Sequence, residues 1–158
     1  MKVLLIGLGR IGKLVARKIV AEDQTRLDWV GAVEQTIDPE LLSYTLNHDS
    51  TYGALTKKIG YTKDSFRVEG RNDVPLFDDI GLAVNETTPD LVIDCSGSNQ
   101  SAQTLVSSQP KRSQHHLFAQ ALDAVKKTDD VEVWVYGVND SDFEERIPRH
   151  IINPGCLN

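Results

Sequence analysis

An α/β fold with a mainly parallel sheet flanked by helices is predicted by three observations on this 158-residue chain. Short apolar runs recur from Val3 to Ile152, each bounded by polar or glycine-containing stretches. Helix-like segments lie between several of them, and such alternation is the pattern of parallel strands joined by crossovers. The first apolar run passes directly into Gly7-Leu-Gly9-Arg-Ile-Gly12 and then into a stretch of helical period. Around residues 53–77 the pattern turns to β throughout, which predicts a hairpin excursion from the parallel sheet.

The elements follow in order. A strand over residues 3–6 leads to an amphipathic helix over 11–21, then to a second strand over 27–33. Asp38-Pro39 opens a short helix over 39–46: the aspartate caps it, and proline in the first turn lacks only an N–H that would have no partner there. Within the β-rich stretch, strands over 65–68 and 74–77 flank a turn at Glu69-Gly-Arg-Asn72. Leu91-Val-Ile93 reads as a buried parallel strand leading to Asp94-Cys-Ser-Gly97, and a polar helix is expected over 100–108. Strands are expected over 115–121 and 131–136, a short helix from Asp140-Ser-Asp, and a last strand over 150–152. There is no internal repeat and no low-complexity linker.

Composition narrows the function classes. The chain is of ordinary single-domain size and buries about two-thirds of its unfolded surface without a second core. Seventeen basic against 23 acidic residues give a net charge of −6 and a pI near 5.1. That balance argues against nucleic acid or an anionic membrane as the partner. No stretch is long and apolar enough to span a bilayer, and the opening lacks a secretory pattern. Two cysteines, Cys95 and Cys156, are too few for a disulfide framework, so a reducing cytoplasmic compartment is expected.

The glycine pattern carries chemistry because of what surrounds it. It follows a strand, opens a helix and is answered by Glu34 at the end of the next strand, which is the fingerprint of a dinucleotide site. Gly7 permits the tight turn, Gly9 lets the backbone approach a pyrophosphate, and Gly12 lets helix and strand pack closely. The backbone amides of Arg10 and Ile11, at the positive end of the helix, would receive the phosphates. Glu34 would accept from the adenosine ribose hydroxyls and repel a 2′-phosphate, so NAD is expected over NADP. Ser96 and Gly97 lie at the carboxyl end of a central strand, where open α/β sheets bind ligands. Cys95 reads as a buried small hydrophobe. His48 and Asp49 belong to the conformation of their turn. His115 and His116 are read as structural and no metal is expected, since neighbours on a strand point to opposite faces.

In this order the motifs resemble the N-terminal, NAD-binding half of glyceraldehyde-3-phosphate dehydrogenases. Gly7-Leu-Gly-Arg-Ile-Gly12-Lys is similar to the family's GFGRIGR, and Asn47-His-Asp-Ser-Thr-Tyr-Gly53 to its YDSTHG. Asp94-Cys-Ser-Gly97 is similar to ESTG, Val135-Tyr-Gly-Val-Asn139 to YGVN, and Asn153-Pro-Gly-Cys156 to NASC. Counting back from Asp49 puts Glu34 where the family has its ribose-binding aspartate.

The resemblance implies a Rossmann-type domain over residues 1–158 and an oxidoreductase of glycolytic type. In it, Cys156 attacks a small phosphorylated aldehyde, a hydride passes to NAD, and a thioester remains. It implies homo-oligomers for a complete parent protein. The family's histidine base and substrate domain have no counterpart in these residues, so the chain is expected to be part of a longer protein and inactive alone. The pattern also departs from the family. Gly155 and Leu157 replace the hydroxyl residues beside the cysteine, Ile6 replaces an asparagine, and Ser98-Asn99 replace an apolar and aromatic pair. The alternative reading is a free-standing NAD-sensing or assembly module without catalysis.

Overall fold

Successive side chains of a strand leave opposite faces of its sheet, and the first strand uses both. In the computed structural model, β1 (Lys2–Ile6) sends Val3 and Leu5 into one apolar core and Leu4 and Ile6 into another. All four are at most 3% exposed. The structure describes residues 1–22, 26–107, 114–120, 123–128, 131–135, 138–139 and 149–153. After β1 come α1 (Arg10–Ala21), β2 (Asp28–Val33) and α2 (Pro39–Asn47), then the small antiparallel pair β3 (His48–Asp49) and β4 (Gly53–Ala54). Next are β5 (Ile59–Tyr61), β6 (Ser65–Val68), β7 (Val74–Phe77), α3 (Ile80–Thr87) and β8 (Leu91–Asp94). The described chain continues with α4 (Asn99–Ser107), β9 (His115–Phe118), α5 (Asp123–Lys126), β10 (Val131–Val133) and β11 (His150–Ile152).

Among the described residues, nine strands form one sheet in the order β10-β11-β9-β8-β1-β2-β7-β6-β5. Every pairing from β10 to β7 is parallel, and only the β7-β6-β5 edge is antiparallel. The α/β class, the parallel sheet and the hairpin excursion are thus as the sequence predicts. β1 lies between β2 and β8. The chain leaves β1 toward β2 and later returns on the other side, so the strand order reverses at β1, and this is where open α/β sheets form their ligand crevice.

The two cores lie on the two faces of the sheet. One joins β1 to Ala16, Ile19 and Val20 of α1, to Leu42 and Leu46 of α2, and to Trp29 and Phe66, whose rings stack 5.7 Å apart. The other joins Leu4 and Ile6 to Ala83 of α3, Ala102 and Leu105 of α4, Phe118 and Ile152. Asp38 caps α2 as the sequence implies, and Asp79 caps α3, a helix the sequence reading did not include. Asp38 accepts from the Glu40 amide at 2.8 Å with Pro39 beginning α2, and Asp79 accepts from the Leu82 amide at 2.7 Å. Arg17, buried in α1, donates to the carbonyls of Leu46 at 2.6 Å and Gly53 at 2.8 Å, tying the end of α2 and the β4 turn to α1.

Several boundaries differ from expectation. The helix over 80–87 and the four-residue α5 are additional elements, and β5 is a separate strand within the β-rich stretch. β10 ends at Val133, not at 136: the Trp134 amide makes a last bond to the Ile152 carbonyl, and the next amide, that of Val135, donates to the Asn139 side chain instead. β9 ends at Phe118. The expected helix from Asp140, and Cys156 with its neighbours Gly155 and Leu157, lie outside the described residues.

Candidate dinucleotide site

The glycines divide their tasks as geometry requires. Gly7 has φ +77°, the left-handed region, and a Cβ there would lie 2.7 Å from the Ser96 amide nitrogen. A Cβ on Gly12 would collide with the Gly7 carbonyl oxygen, so only glycine lets α1 close onto the strand end. Around Gly9 the situation is opposite: an added Cβ meets nothing within 4 Å, because this position faces open space at the mouth of a cleft. Gly9 also forms the N-cap of α1 with no side-chain bond to the helix end. The first-turn amides, including those of Arg10 and Ile11, have no partner within the helix and are presented outward.

That cleft, about 430 Å³, lies at the carboxyl edge of β1, β2 and β8. It brings Gly7, Gly9, Glu34 and Ser96 together from three segments of chain. Arg10, Ile11, Gly12 and Gly97 are not among the residues that line it, although Arg10 follows Gly9 and Gly97 lies between Ser96 and Ser98. Ile11 is 44% exposed at the start of α1. Gly97 has φ +68°, with Gln120 covering its Cβ direction at 3.1 Å.

Glu34 is placed by β2, whose pairing continues one residue further through the Glu34 amide to the Phe77 carbonyl at 3.0 Å. Its side chain is engaged. One carboxylate oxygen, Oε2, accepts from the Leu8 amide at 2.9 Å; the other, Oε1, accepts from the Thr36 hydroxyl at 2.7 Å and from the amides of Thr36 and Gln35 at 3.0 and 3.1 Å. Partial burial works to raise its pKa, but the hydrogen bonds from Thr36, Leu8 and Gln35 outweigh it and hold the carboxyl below its ordinary value. The residue is therefore an ionised acceptor that ties the glycine loop to the end of β2.

Across the cleft, Asp94 ends β8 only 3% exposed. Its Oδ1 accepts from the Ser96 amide at 2.9 Å and the Ser96 hydroxyl at 2.6 Å, and its Oδ2 from the Ser101 hydroxyl at 2.8 Å. This buried carboxylate sets the shape of the loop that carries Ser96. Cys95 is only half-buried and lines the cleft, so it is more than a core filler. Burial, reinforced by the charge of Asp94, pushes its thiol up to about 12 and keeps it neutral. The far wall comes from Asp79 and Ile80 at the start of α3 and from Gln100 and Thr104 of α4. Sequence reasoning passed over that wall, although Asp79 before an apolar helix turn was a readable cap.

Asp49 and His116 do not line the cleft. Asp49 holds its turn by accepting from the Tyr52 and Thr51 amides, which lower its pKa. His116 is fully buried, its ring 5.0 Å from that of His150 on the neighbouring strand.

A strand, a glycine turn and a helix, answered by a carboxylate at the end of the second strand and opening on a cleft at the switch point, define a Rossmann-type nucleotide-binding domain. The family described as "Glyceraldehyde 3-phosphate dehydrogenase, NAD binding domain" matches residues 1–102. The chain belongs to this family. It is similar to a glyceraldehyde-3-phosphate dehydrogenase of Helicobacter pylori, 33% identical over 66% of this chain and 31% of that protein. It is also similar to glyceraldehyde-3-phosphate dehydrogenase 2 of Staphylococcus epidermidis, 30% identical over 87% of this chain and 39% of that protein. The corresponding Bacillus subtilis protein is 29% identical over 98% of this chain and 44% of its own length. The chain thus spans less than half the length of these relatives.

Proposed function

We propose that residues 1–158 are the NAD-binding domain of a cysteine-dependent aldehyde dehydrogenase resembling glyceraldehyde-3-phosphate dehydrogenase. The observation that carries this reading is the convergence of Gly7, Gly9, Glu34 and Ser96 on one cleft at the switch point of the sheet. The residues fit a dinucleotide: open space at Gly9 for a pyrophosphate, uncapped amides of Arg10 and Ile11 to receive its charge, and an ionised acceptor at Glu34 for the adenosine ribose. Gly12 acts by letting the helix end approach, while Ser96 lines the opposite side with Gly97 next to it in the loop. NAD, when bound, supplies the hydride acceptor. Cys156 is the proposed nucleophile: its sulfur bonds to the carbonyl carbon of a small phosphorylated aldehyde, and loss of hydride and of the hydroxyl proton leaves a thioester. The base that takes that proton and the walls that orient the substrate are not among the residues assigned here; the complete protein is proposed to be homo-oligomeric and cytoplasmic, and the domain alone to be inactive.

Glu34→Ala tests the cofactor assignment. Calorimetric titration should show the wild type binding NAD at least tenfold more tightly than NADP, because a 2′-phosphate beside Glu34 meets like charge. The substitution should reduce that preference toward unity, and equal NAD and NADP affinities in the wild type would remove the reading. A second reading, a cofactor-sensing module without catalysis, draws on Gly155 and Leu157, which bring no hydroxyl beside Cys156. The mass of the intact native polypeptide separates the two: a product well above 17.5 kDa favours the enzyme, one equal to it the module.

A further inference from the structure

The carboxyl edge of the sheet continues past the cleft. Beyond β8 lies β9, and the Ala119 amide extends their pairing to the Asp94 carbonyl at 3.0 Å. The next residue, Gln120, is exposed and lays its side chain back over the loop that follows β8. Its Oε1, Nε2 and Cδ lie 3.1, 3.2 and 3.3 Å from the point a Cβ on Gly97 would occupy. Three atoms of a planar group at nearly equal distance from one point turn mostly a face toward it, so the polar edge of the amide is directed elsewhere. Among the described residues none hydrogen-bonds to that edge. Ser96 and Ser98 line the cleft while Gly97 between them does not, which sets the Gln120 amide on the rim, behind Gly97.

Strand order fixes what passes this rim. With the adenosine ribose at Glu34, after β2, and the pyrophosphate at Gly9, after β1, the other half of a dinucleotide extends away from β2, across β8 toward β9. β9 stands two strand spacings from β1, about 10 Å, a reach that a ribose followed by a base covers and a ribose alone does not. β11 comes next, its following residue Asn153 donating its amide to the Phe118 carbonyl at 2.9 Å, three positions before Cys156. We infer that Gln120 recognises the nicotinamide carboxamide, its amide nitrogen donating to the carboxamide oxygen and its amide oxygen accepting from the carboxamide nitrogen. This rests on the NAD-binding reading above and adds to it a residue that reads the redox-active end of the cofactor.

Calorimetric titration of the wild type and Gln120→Met with three ligands tests this: NAD, its acetylpyridine analogue, in which a methyl ketone removes the carboxamide N–H donors, and ADP-ribose, which lacks the base. Methionine keeps the length of the side chain and removes its amide. The wild type should bind NAD about fivefold more tightly than the acetylpyridine analogue, as expected for one neutral hydrogen bond. In Gln120→Met that ratio should fall to unity, while ADP-ribose binds both proteins equally. A ratio of unity in the wild type, or an unchanged ratio in Gln120→Met, overturns the inference and leaves the cofactor reading standing. So does an equal loss of all three ligands in Gln120→Met, which would make Gln120 a support of the Ser96 loop. Failure of the wild type to bind any of the three overturns the cofactor reading itself and the inference with it.

Discussion

At the scale of the residue, two glycines three positions apart in the same motif do opposite work. The space at Gly9 is empty for a ligand, and the space at Gly12 is filled by backbone. Gly9→Val should therefore leave the melting curve close to wild type while removing measurable NAD affinity. Gly12→Val should instead destabilise the chain by about 3 kcal/mol or more, since a backbone carbonyl cannot step aside as a side chain does. Circular dichroism melts beside calorimetric titration separate the two, and the outcome is wrong if both variants lose only binding. These roles were legible in the sequence because they follow from the absence of a Cβ. The state of Glu34 was not legible. Its four donors come from Leu8, Gln35 and Thr36, and the first is brought to it only when β1 and β2 pair.

At the scale of the element, Arg17 shows how a charged residue on the buried face of α1 is accommodated. The last carbonyls of a helix have no partner within it, and Arg17 supplies one to Leu46 near the end of α2 while also holding Gly53. Arg17→Met keeps the apolar stem and removes both bonds, leaving partly buried carbonyls unpaired. The expected cost is about 2–3 kcal/mol, read as a lower midpoint in urea unfolding with little change in slope. Elements were legible where a long period or a cap marked them: α1, α2 with its Asp38-Pro39 start, the 65–77 hairpin and β8 all stand as expected. α3 was missed because it is eight residues long and contains Gly81 and Thr87, poor helix formers, so packing of Ala83 against the sheet and the Asp79 cap decide it.

At the scale of the whole molecule, pH acts through a buried residue that does not line the cleft. Burial, the neighbouring charges of His150 and Arg149, and then His115 hold the His116 pKa near 3, against an ordinary value of 6.5. The folded state thus binds this proton less readily than the unfolded chain. The stabilisation is complete above about pH 6.5 and is lost as pH falls from there toward 3, at roughly 1.4 kcal/mol per pH unit where only the unfolded chain is protonated. His116→Phe should flatten the fall in melting temperature between pH 6.5 and 4, and an unchanged slope would assign acid sensitivity elsewhere. β1 links this behaviour to the rest of the fold, since it is flanked by strands on both sides and feeds alternate residues into both cores. Neither face of the sheet can loosen without exposing side chains that the other strand neighbours also cover. The amides of residues 3–6 are therefore expected among the slowest to exchange with solvent, and the glycine loop follows directly from this strand. A ligand held at the tip of that loop would therefore rest on a strand buried on both of its faces.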